Sequence, residues 1–387
     1  MLLSICVLTY NRVELLKKLL DSILDSTLLE NQEVELVLLN NGSTDSTRKY
    51  LESLSSQENI RVFHRDTNQR GSMAYLQLLG AARGEWVIAP GDDDIFISEN
   101  LRYAFNNLKS ANKQTSLMPF AAQTINSSGD FSPIKYQPTK ETDRIKLLSE
   151  LINKSIYWFP ATFFRRALVI DHQPPRTITV FDWWIWIQGV MTGEVVPNSL
   201  EVIRYRIHKG QEQMSYSESF WKLDQTRTFL DIFDSQSFKR WCMELDASDI
   251  KKFLNFLNHQ EGSSDSTERL LLWLMLGEAI IECQPKTKDM VLEFLLKKDI
   301  DVRYLTQYFG KDLEEGFTRI ALELKGISKE EILKIKGKDE LEKKLNEVLY
   351  NLRQTEKDKS LTPFEGRIIS LYRLIRFSTL IRRVLKK

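Results

Sequence analysis

The densest chemistry in this chain lies in Trp86-Val87-Ile88-Ala89-Pro90-Gly91-Asp92-Asp93-Asp94-Ile95. Four apolar residues followed by Pro-Gly read as a buried strand that ends in a loop. In an open α/β sheet, ligands gather at the carboxyl ends of the strands. Three adjacent carboxylates there repel one another unless a positive group sits among them. Their oxygens are hard ligands, suited to Mg²⁺ or Mn²⁺ shared with substrate phosphates. Taken alone, the triplet reads equally well as an acidic surface loop.

The elements that would position this loop alternate in period. Leu2–Leu8, Val34–Leu39, Ile60–His64 and Trp86–Ala89 read as strands. Between them, Val13–Asp25 carries a helical apolar stripe, a helix capped by Ser43 or Asp45 runs to about Leu54, and Met73–Ala82 forms a third helix closed by Gly84. Such alternation predicts right-handed βαβ units and a parallel sheet covered by helices on both faces. Further on, Ser98 caps a helix to Lys113, Leu117–Ala122, Phe131–Tyr136 and Leu200–Ile207 read as strands, and Asp182–Thr192 is helical. After Asn198 the prolines thin out and the pattern turns almost wholly helical, with segments near 217–232, 248–258, 268–283, 288–298 and 339–356.

In a parallel sheet the loops after the strands emerge on one edge. Here they are Thr9-Tyr10-Asn11-Arg12, Asn40-Asn41-Gly42-Ser43-Thr44-Asp45, Asn68-Gln69-Arg70-Gly71 and Asp92-Asp93-Asp94. Together they offer small hydrogen-bonding groups, an aromatic ring, two arginines and a carboxylate set. That inventory suits a base, a ribose and a diphosphate.

The order of these motifs resembles the inverting glycosyltransferases of family 2 over roughly residues 1–215. The resemblance rests on the Thr-Tyr-Asn-Arg opening, the Asn-Gly-Ser-Thr-Asp turn, the approach Ala81-Ala82-Arg83-Gly84-Glu85-Trp86, and the aspartates in the family's DxD position. Phe181-Asp182 falls where the family carries Glu-Asp, and Tyr205-Arg206-Ile207-His208 matches its Tyr-x-x-His pattern. The resemblance implies a GT-A (nucleotide-diphospho-sugar transferase-like) α/β domain with a mostly parallel central sheet, followed by an all-α C-terminal region. It implies a nucleotide-sugar held by Thr9, Tyr10, Arg12, Asn40, Arg70, Asp92 and Asp93, a Mn²⁺ or Mg²⁺ ion at Asp94 and His208, and Asp182 as catalytic base. Two departures stand out: Phe181 replaces the glutamate, and Asn40 replaces the aspartate that commonly contacts uracil. From the residues alone, Asp182 also reads as a helix N-cap and His208 as a solvated turn residue.

The implied reaction is metal-dependent displacement with inversion, from a UDP-sugar to a glycan or lipid-linked acceptor in bacterial surface polysaccharide synthesis. The alternative is a non-catalytic GT-A-fold scaffold or nucleotide-sugar binding protein. A sugar nucleotidyltransferase would need a glycine-rich loop after the first strand. A haloacid-dehalogenase-like phosphatase would carry its Asp-x-Asp there rather than after the fourth.

Composition narrows the setting. Hydrophobic content is 42% and net charge +1, so no nucleic-acid partner is expected. Three dispersed cysteines form neither a zinc site nor a disulfide framework, and Cys6 reads as a small buried hydrophobe. The N-terminus lacks a basic leader and a cleavage site, and no apolar run spans a membrane, so a cytoplasmic protein is expected. From Lys325 to Lys387 there are 17 Lys and Arg against 9 Asp and Glu. Leu374, Phe377, Leu380, Ile381, Val384 and Leu385 form one stripe, with Arg376, Arg382, Arg383, Lys386 and Lys387 opposite. That pattern suits the anionic inner face of a cell membrane, or docking on the protein itself or on a second copy. Leu341, Leu345, Val348 and Leu352 make a two-heptad stripe, too short to assert a coiled coil and read at least as well as an amphipathic helix on the core, with a homo-oligomer left open. The expected division is 1–215 catalytic, 216–325 helical, and 326–387 a helical basic tail.

Overall fold

The computed structural model describes residues 1–69, 71–172, 180–209, 231–259 and 267–298, with positions 211, 225, 228, 229 and 343 besides. Arg70, most of the helix expected near 217–232, and the stripes and basic tail expected beyond 325 lie outside the described residues. The chain divides into two compact units, Met1–Glu244 and the residues from Leu245 onward.

The first unit starts with β1 (Leu3–Thr9), α1 (Val13–Leu24), β2 (Val34–Asn40), α2 (Thr47–Leu54), β3 (Ile60–His64), α3 (Gly71–Ala81) and β4 (Trp86–Ile88). Every residue of β2 is buried, as are all but one of β1. Such continuous burial is the mark of a strand covered on both faces, and it explains the unbroken apolar runs. On α1, Val13, Leu16, Leu19, Leu20 and Ile23 turn inward at helical spacing. The helix α2 starts at Thr47 with Ser46 at its cap, while Asp45 Oδ1 accepts the Thr47 N–H at 3.0 Å.

The four strands pair in the order β3-β2-β1-β4, all parallel. The chain builds outward from β1 to β3, then crosses back to place β4 on β1's other side. A topological switch point therefore opens between β1 and β4, where ligand crevices form in open α/β sheets. An isolated bridge between Leu8 and Gly91 extends this pairing to the lip of the sheet.

Beyond β4 the sheet becomes mixed. It takes in β5 (Ile95–Phe96), β6 (Thr115–Ile125), β7 (Phe131–Tyr136), β8 (Thr162–Arg165), β9 (Glu194–Val195) and β10 (Asn198–Arg206). The order runs β4-β8-β6-β10-β5, with β7 and β9 also on β6. β8 lies antiparallel to β4 and β6, and β10 lies parallel to β6. The helices here are α4 (Ser98–Lys109), α5 (Arg144–Asn153), α6 (Ala167–Ile170) and α7 (Phe181–Thr192). Asp143 caps α5 by accepting the Ile145 and Lys146 N–H groups. Ten of the twelve residues of α7 are buried, which accounts for its three tryptophans. A further helix, Gln236–Glu244, completes the unit.

In the second unit the described segments are helical: Ala247–His259, Thr267–Cys283 and Lys288–Lys297. Trp273 and Phe294 pack edge to face at 5.6 Å, between the second and third of these. No described helix is long and apolar enough to cross a membrane.

Candidate functional site

Three loops at the carboxyl edge of the parallel strands are laced together before any ligand is considered. Asn11 sits in the left-handed region, φ 53°. Its Oδ1 accepts the Thr44 N–H at 2.7 Å, and its own N–H donates to Ser43 Oγ at 2.9 Å. Asn41 does the same between the second and third loops. Its Nδ2 donates to Asn68 Oδ1 and to the Gln69 carbonyl, both at 2.8 Å. Gly42, at φ +79°, lies so close to the Thr67–Asn68 backbone that a Cβ would stand 2.5 Å from the Thr67 carbonyl carbon. Neither its conformation nor its contact admits a side chain.

Across the switch point, Arg12 reaches from the loop after β1 to the loop after β4. Its Nη1 lies 3.0 Å from Asp92 Oδ1 and 3.0 Å from Asp93 Oδ2. His208 Nε2 meets the same Asp93 Oδ2 at 2.7 Å. Asp94 is fully buried, and its two oxygens accept main-chain N–H groups from Gly91 (2.9 Å) and Arg206 (3.1 Å). Burial and the Asp93 charge push the Asp94 carboxyl well above the usual carboxylate range, against the pull of those two amides. Burial also raises Asp92, to about 6, although Arg12 opposes it.

The structure thus brings Arg12, Asp92, Asp93, Asp94 and His208 into one cluster. Thr9 pairs in register with Asn40 on the neighbouring strand end, and both are buried. Asn40 Oδ1 accepts the Ser43 N–H at 2.9 Å, and its Nδ2 faces His64 Nδ1 at 3.2 Å. Tyr10 is exposed at the same edge. Asp182 is carried separately, in the first turn of α7 with Val180 at the cap position, so it is not the cap itself. Its residue surface is partly open, yet the surrounding protein pushes its carboxyl up to about 6. Among the described contacts, Asp182 Oδ1 accepts the Trp183 N–H at 2.9 Å, and none joins it to the aspartate cluster.

Arg206 is a participant that sequence reasoning missed. It is only 1% exposed. Its Nε donates to the Asp93 carbonyl at 2.8 Å, and its Nη1 to the carbonyls of Asn126 (3.0 Å) and Ser127 (3.3 Å). It braces the acidic loop from beneath. An arginine in an alternating strand two residues before His208 was the available signal.

The donor set offers hard carboxylate oxygens and one imidazole. Among the described residues no three His, Cys, Asp or Glu side chains are grouped so as to hold a metal ion by themselves. Carboxylate oxygens beside an imidazole are the donor types that Mn²⁺ or Mg²⁺ takes together with phosphate oxygens and water.

Residues 4–172 match the profile of glycosyl transferase family 2. The match covers a little under half of the chain. Relatives named as glycosyltransferases share parts of the sequence. An uncharacterised glycosyltransferase of Rickettsia bellii is 23% identical over 216 residues, covering 54% of this chain and 30% of the relative. The abequosyltransferase RfbV of Salmonella typhimurium is 30% identical over 103 residues, covering 26% and 31%. The chain thus spans about a third of the length of these curated relatives. S. aureus TarS, solved with UDP-GlcNAc, superposes with a TM-score of 0.50 at 18% identity, over 84% of this chain and 91% of that one. That likeness concerns the GT-A fold.

Proposed function

We propose that this chain is a metal-dependent inverting glycosyltransferase of family 2, moving a sugar from a UDP-sugar to a glycan or lipid-linked acceptor in bacterial surface polysaccharide synthesis. The observation that carries the reading is the Arg12 link to Asp92 and Asp93 across the β1/β4 switch point. It sets one cation and a carboxylate group at the crevice where a nucleotide diphosphate would lie.

Thr9, Tyr10 and Asn40 line the end expected to take the base and ribose. Arg12 binds and orients the diphosphate. Asp94 and His208 would hold Mn²⁺ or Mg²⁺, which supplies Lewis-acid stabilisation of the departing phosphate charge when bound. Asp182 takes the proton from the acceptor hydroxyl as that oxygen bonds to the anomeric carbon and the bond to the diphosphate breaks. A carboxyl held near pH 6 suits this role, being ionised at neutral pH yet more basic than an ordinary aspartate. Residues 361–387, read from sequence, would hold the enzyme at the cytoplasmic membrane surface.

A screen of nucleotide-sugars for Mn²⁺-dependent hydrolysis and thermal stabilisation tests the proposal. Hydrolysis of one donor, abolished by EDTA, is the expected result. Absence of both hydrolysis and stabilisation across UDP-, GDP-, CDP- and dTDP-sugars would overturn it.

A further inference from the structure

The helices α5 and α7 hold each other at both ends. Arg144, the first residue of α5, donates through Nε to the Val190 carbonyl at 2.7 Å and through Nη2 to the Met191 carbonyl, both in the last turn of α7. At the opposite ends, Trp183 in the first turn of α7 donates its indole Nε1 to the Leu151 carbonyl in the last turn of α5, at 2.7 Å. The last carbonyls of a helix have no partner within it, so each helix completes the other. Start meets end at both contacts. The two helices therefore run in opposite senses, with their register along the axis fixed.

The Trp183 contact bears directly on Asp182. Val180, at the cap position of α7, has an apolar side chain and cannot accept a first-turn N–H. The Asp182 carboxylate does so instead, its Oδ1 accepting the Trp183 N–H at 2.9 Å. Trp183 is thus held from two sides, its main-chain N–H by the carboxylate and its indole by a carbonyl of another helix. The ring is buried and packs against Phe229, with ring centres 5.9 Å apart. A carboxylate bonded to so firmly held an amide has its plane set as well as its place. Burial raises the Asp182 carboxyl, and main-chain N–H groups, that of Trp183 first, draw it back.

Proton transfer demands such control. A base must stand about 2.6–3.2 Å from the hydroxyl it deprotonates. A misplacement of about 1 Å costs on the order of 10²-fold in rate.

We propose that Trp183 is a positioning residue for Asp182, its indole bond to α5 fixing where the carboxylate meets the acceptor hydroxyl. The catalytic meaning rests on Asp182 being the base, as read above, whereas the anchoring of its carboxylate does not.

The test compares two changes in the full chain. Trp183→Phe keeps a ring and removes the indole N–H. Arg144→Met keeps an unbranched chain and releases the far end of α7, eight residues or about 12 Å from Asp182. Benzothienylalanine in place of Trp183 removes the N–H alone, and serves where the phenylalanine variant does not fold. Hydrolysis of UDP-glucose, UDP-galactose and UDP-N-acetylglucosamine with Mn²⁺ gives kcat and KM, and calorimetry gives UDP affinity. Carbon-13 NMR follows the Asp182 carboxyl through its titration, assigned with Asp182→Asn.

Loss of the indole bond should lower kcat about tenfold, with donor KM and UDP affinity unchanged. It should also move the Asp182 titration to higher pH, as the amide donor loosens. Arg144→Met should lower the melting temperature and leave kcat and the titration unchanged. Wild-type kcat without the indole N–H, or an equal fall in Arg144→Met, overturns the proposal while a slow Asp182→Asn keeps the base. Normal hydrolysis by Asp182→Asn, or no hydrolysis by the wild-type chain, overturns the base reading instead. The titration then decides the anchor by itself: a shift without the indole N–H keeps it, and no shift overturns it.

Discussion

A single nitrogen of Arg12, Nη1, stands 3.0 Å from an oxygen of Asp92 and 3.0 Å from an oxygen of Asp93. It serves both carboxylates as one centre of charge rather than as a fork. A lysine can imitate that better than it imitates a bidentate clamp. Arg12→Ala should therefore weaken donor binding strongly and destabilise the fold by roughly 2 kcal/mol, since two buried carboxylates lose a charged partner. Arg12→Lys should recover much of both losses. Calorimetric titration with the nucleotide and thermal melts would show it, and equal loss in both variants would refute the point-charge account.

Arg206 behaves oppositely. Its Nε and Nη1 reach carbonyls on two separate segments, at Asp93 and at Asn126–Ser127. No ammonium group spans that geometry. Arg206→Lys should destabilise nearly as much as Arg206→Ala, each by about 1–3 kcal/mol, because the carbonyl of buried Asp93 loses its donor in both, whereas Asn126 and Ser127 are exposed to water. Urea denaturation of the two variants compares them directly. A lysine variant close to wild type would sink the argument.

Asp182→Asn keeps the size of the side chain and removes its basicity. Transfer rate should fall about 10²-fold or more, with donor binding nearly intact. The same variant should be the more stable protein at neutral pH. The Asp182 carboxyl is raised in the fold from 3.8 to about 6, so the folded state holds the proton more tightly than the unfolded chain. Wild-type stability is therefore lost as pH rises from about 4 to about 6, and the penalty persists above that. The amide of the Asp182→Asn variant does not ionise and carries no such penalty. The gain stays below about 3 kcal/mol, because partial exposure screens the carboxylate. Melting curves at pH 4 and pH 7.5 should diverge only at the higher pH.

Activity should fall as pH drops through about 6. Asp182 must be ionised to accept a proton, and Asp92, also raised to about 6, must be ionised to hold Arg12. Protonation of both makes the acid limb of log kcat/KM steeper than slope one. A profile flat from about pH 5 to pH 8 would show that neither carboxyl governs turnover.

Deletion of residues after Leu361 should release the protein from anionic vesicles and leave donor hydrolysis unchanged. Each basic residue near such a surface contributes about 1 kcal/mol, so salt should loosen the full chain. Equal sedimentation of full-length and truncated protein would point to a structural role for the tail.

The first half of the sheet was legible because its signals are local. Apolar runs and the polar loops that end them placed β1 to β4 within a residue or two, and β3 and β7 match their sequence bounds. The second half was harder. β5 and β9 have two residues each, too few for any periodicity. α5 went unread although Asp143 before Arg144-Ile145 was a usable capping signal. At the site, the side chains at strand ends were visible as types, and their partners were not. Asn41 reads as one more polar loop residue until its amide is seen joining two loops. Arg206 reads as strand alternation until it is seen beneath the acidic loop. Such roles depend on contacts across 27 to 113 residues, beyond any local pattern.

Those separations order events during synthesis. The acidic loop leaves the ribosome about 80 residues after Arg12, and the Asp94 oxygen gains its second amide only when Arg206 follows, 112 residues later. Until β10 docks beside β6, the three carboxylates have Arg12 as their cation among the described residues, without the Arg206 brace. A nascent chain halted before residue 198 would hold the crevice walls with an unsecured floor. The acidic loop is thus completed only by the final strand of the unit, the last to be made although it lies inside the sheet, between β6 and β5.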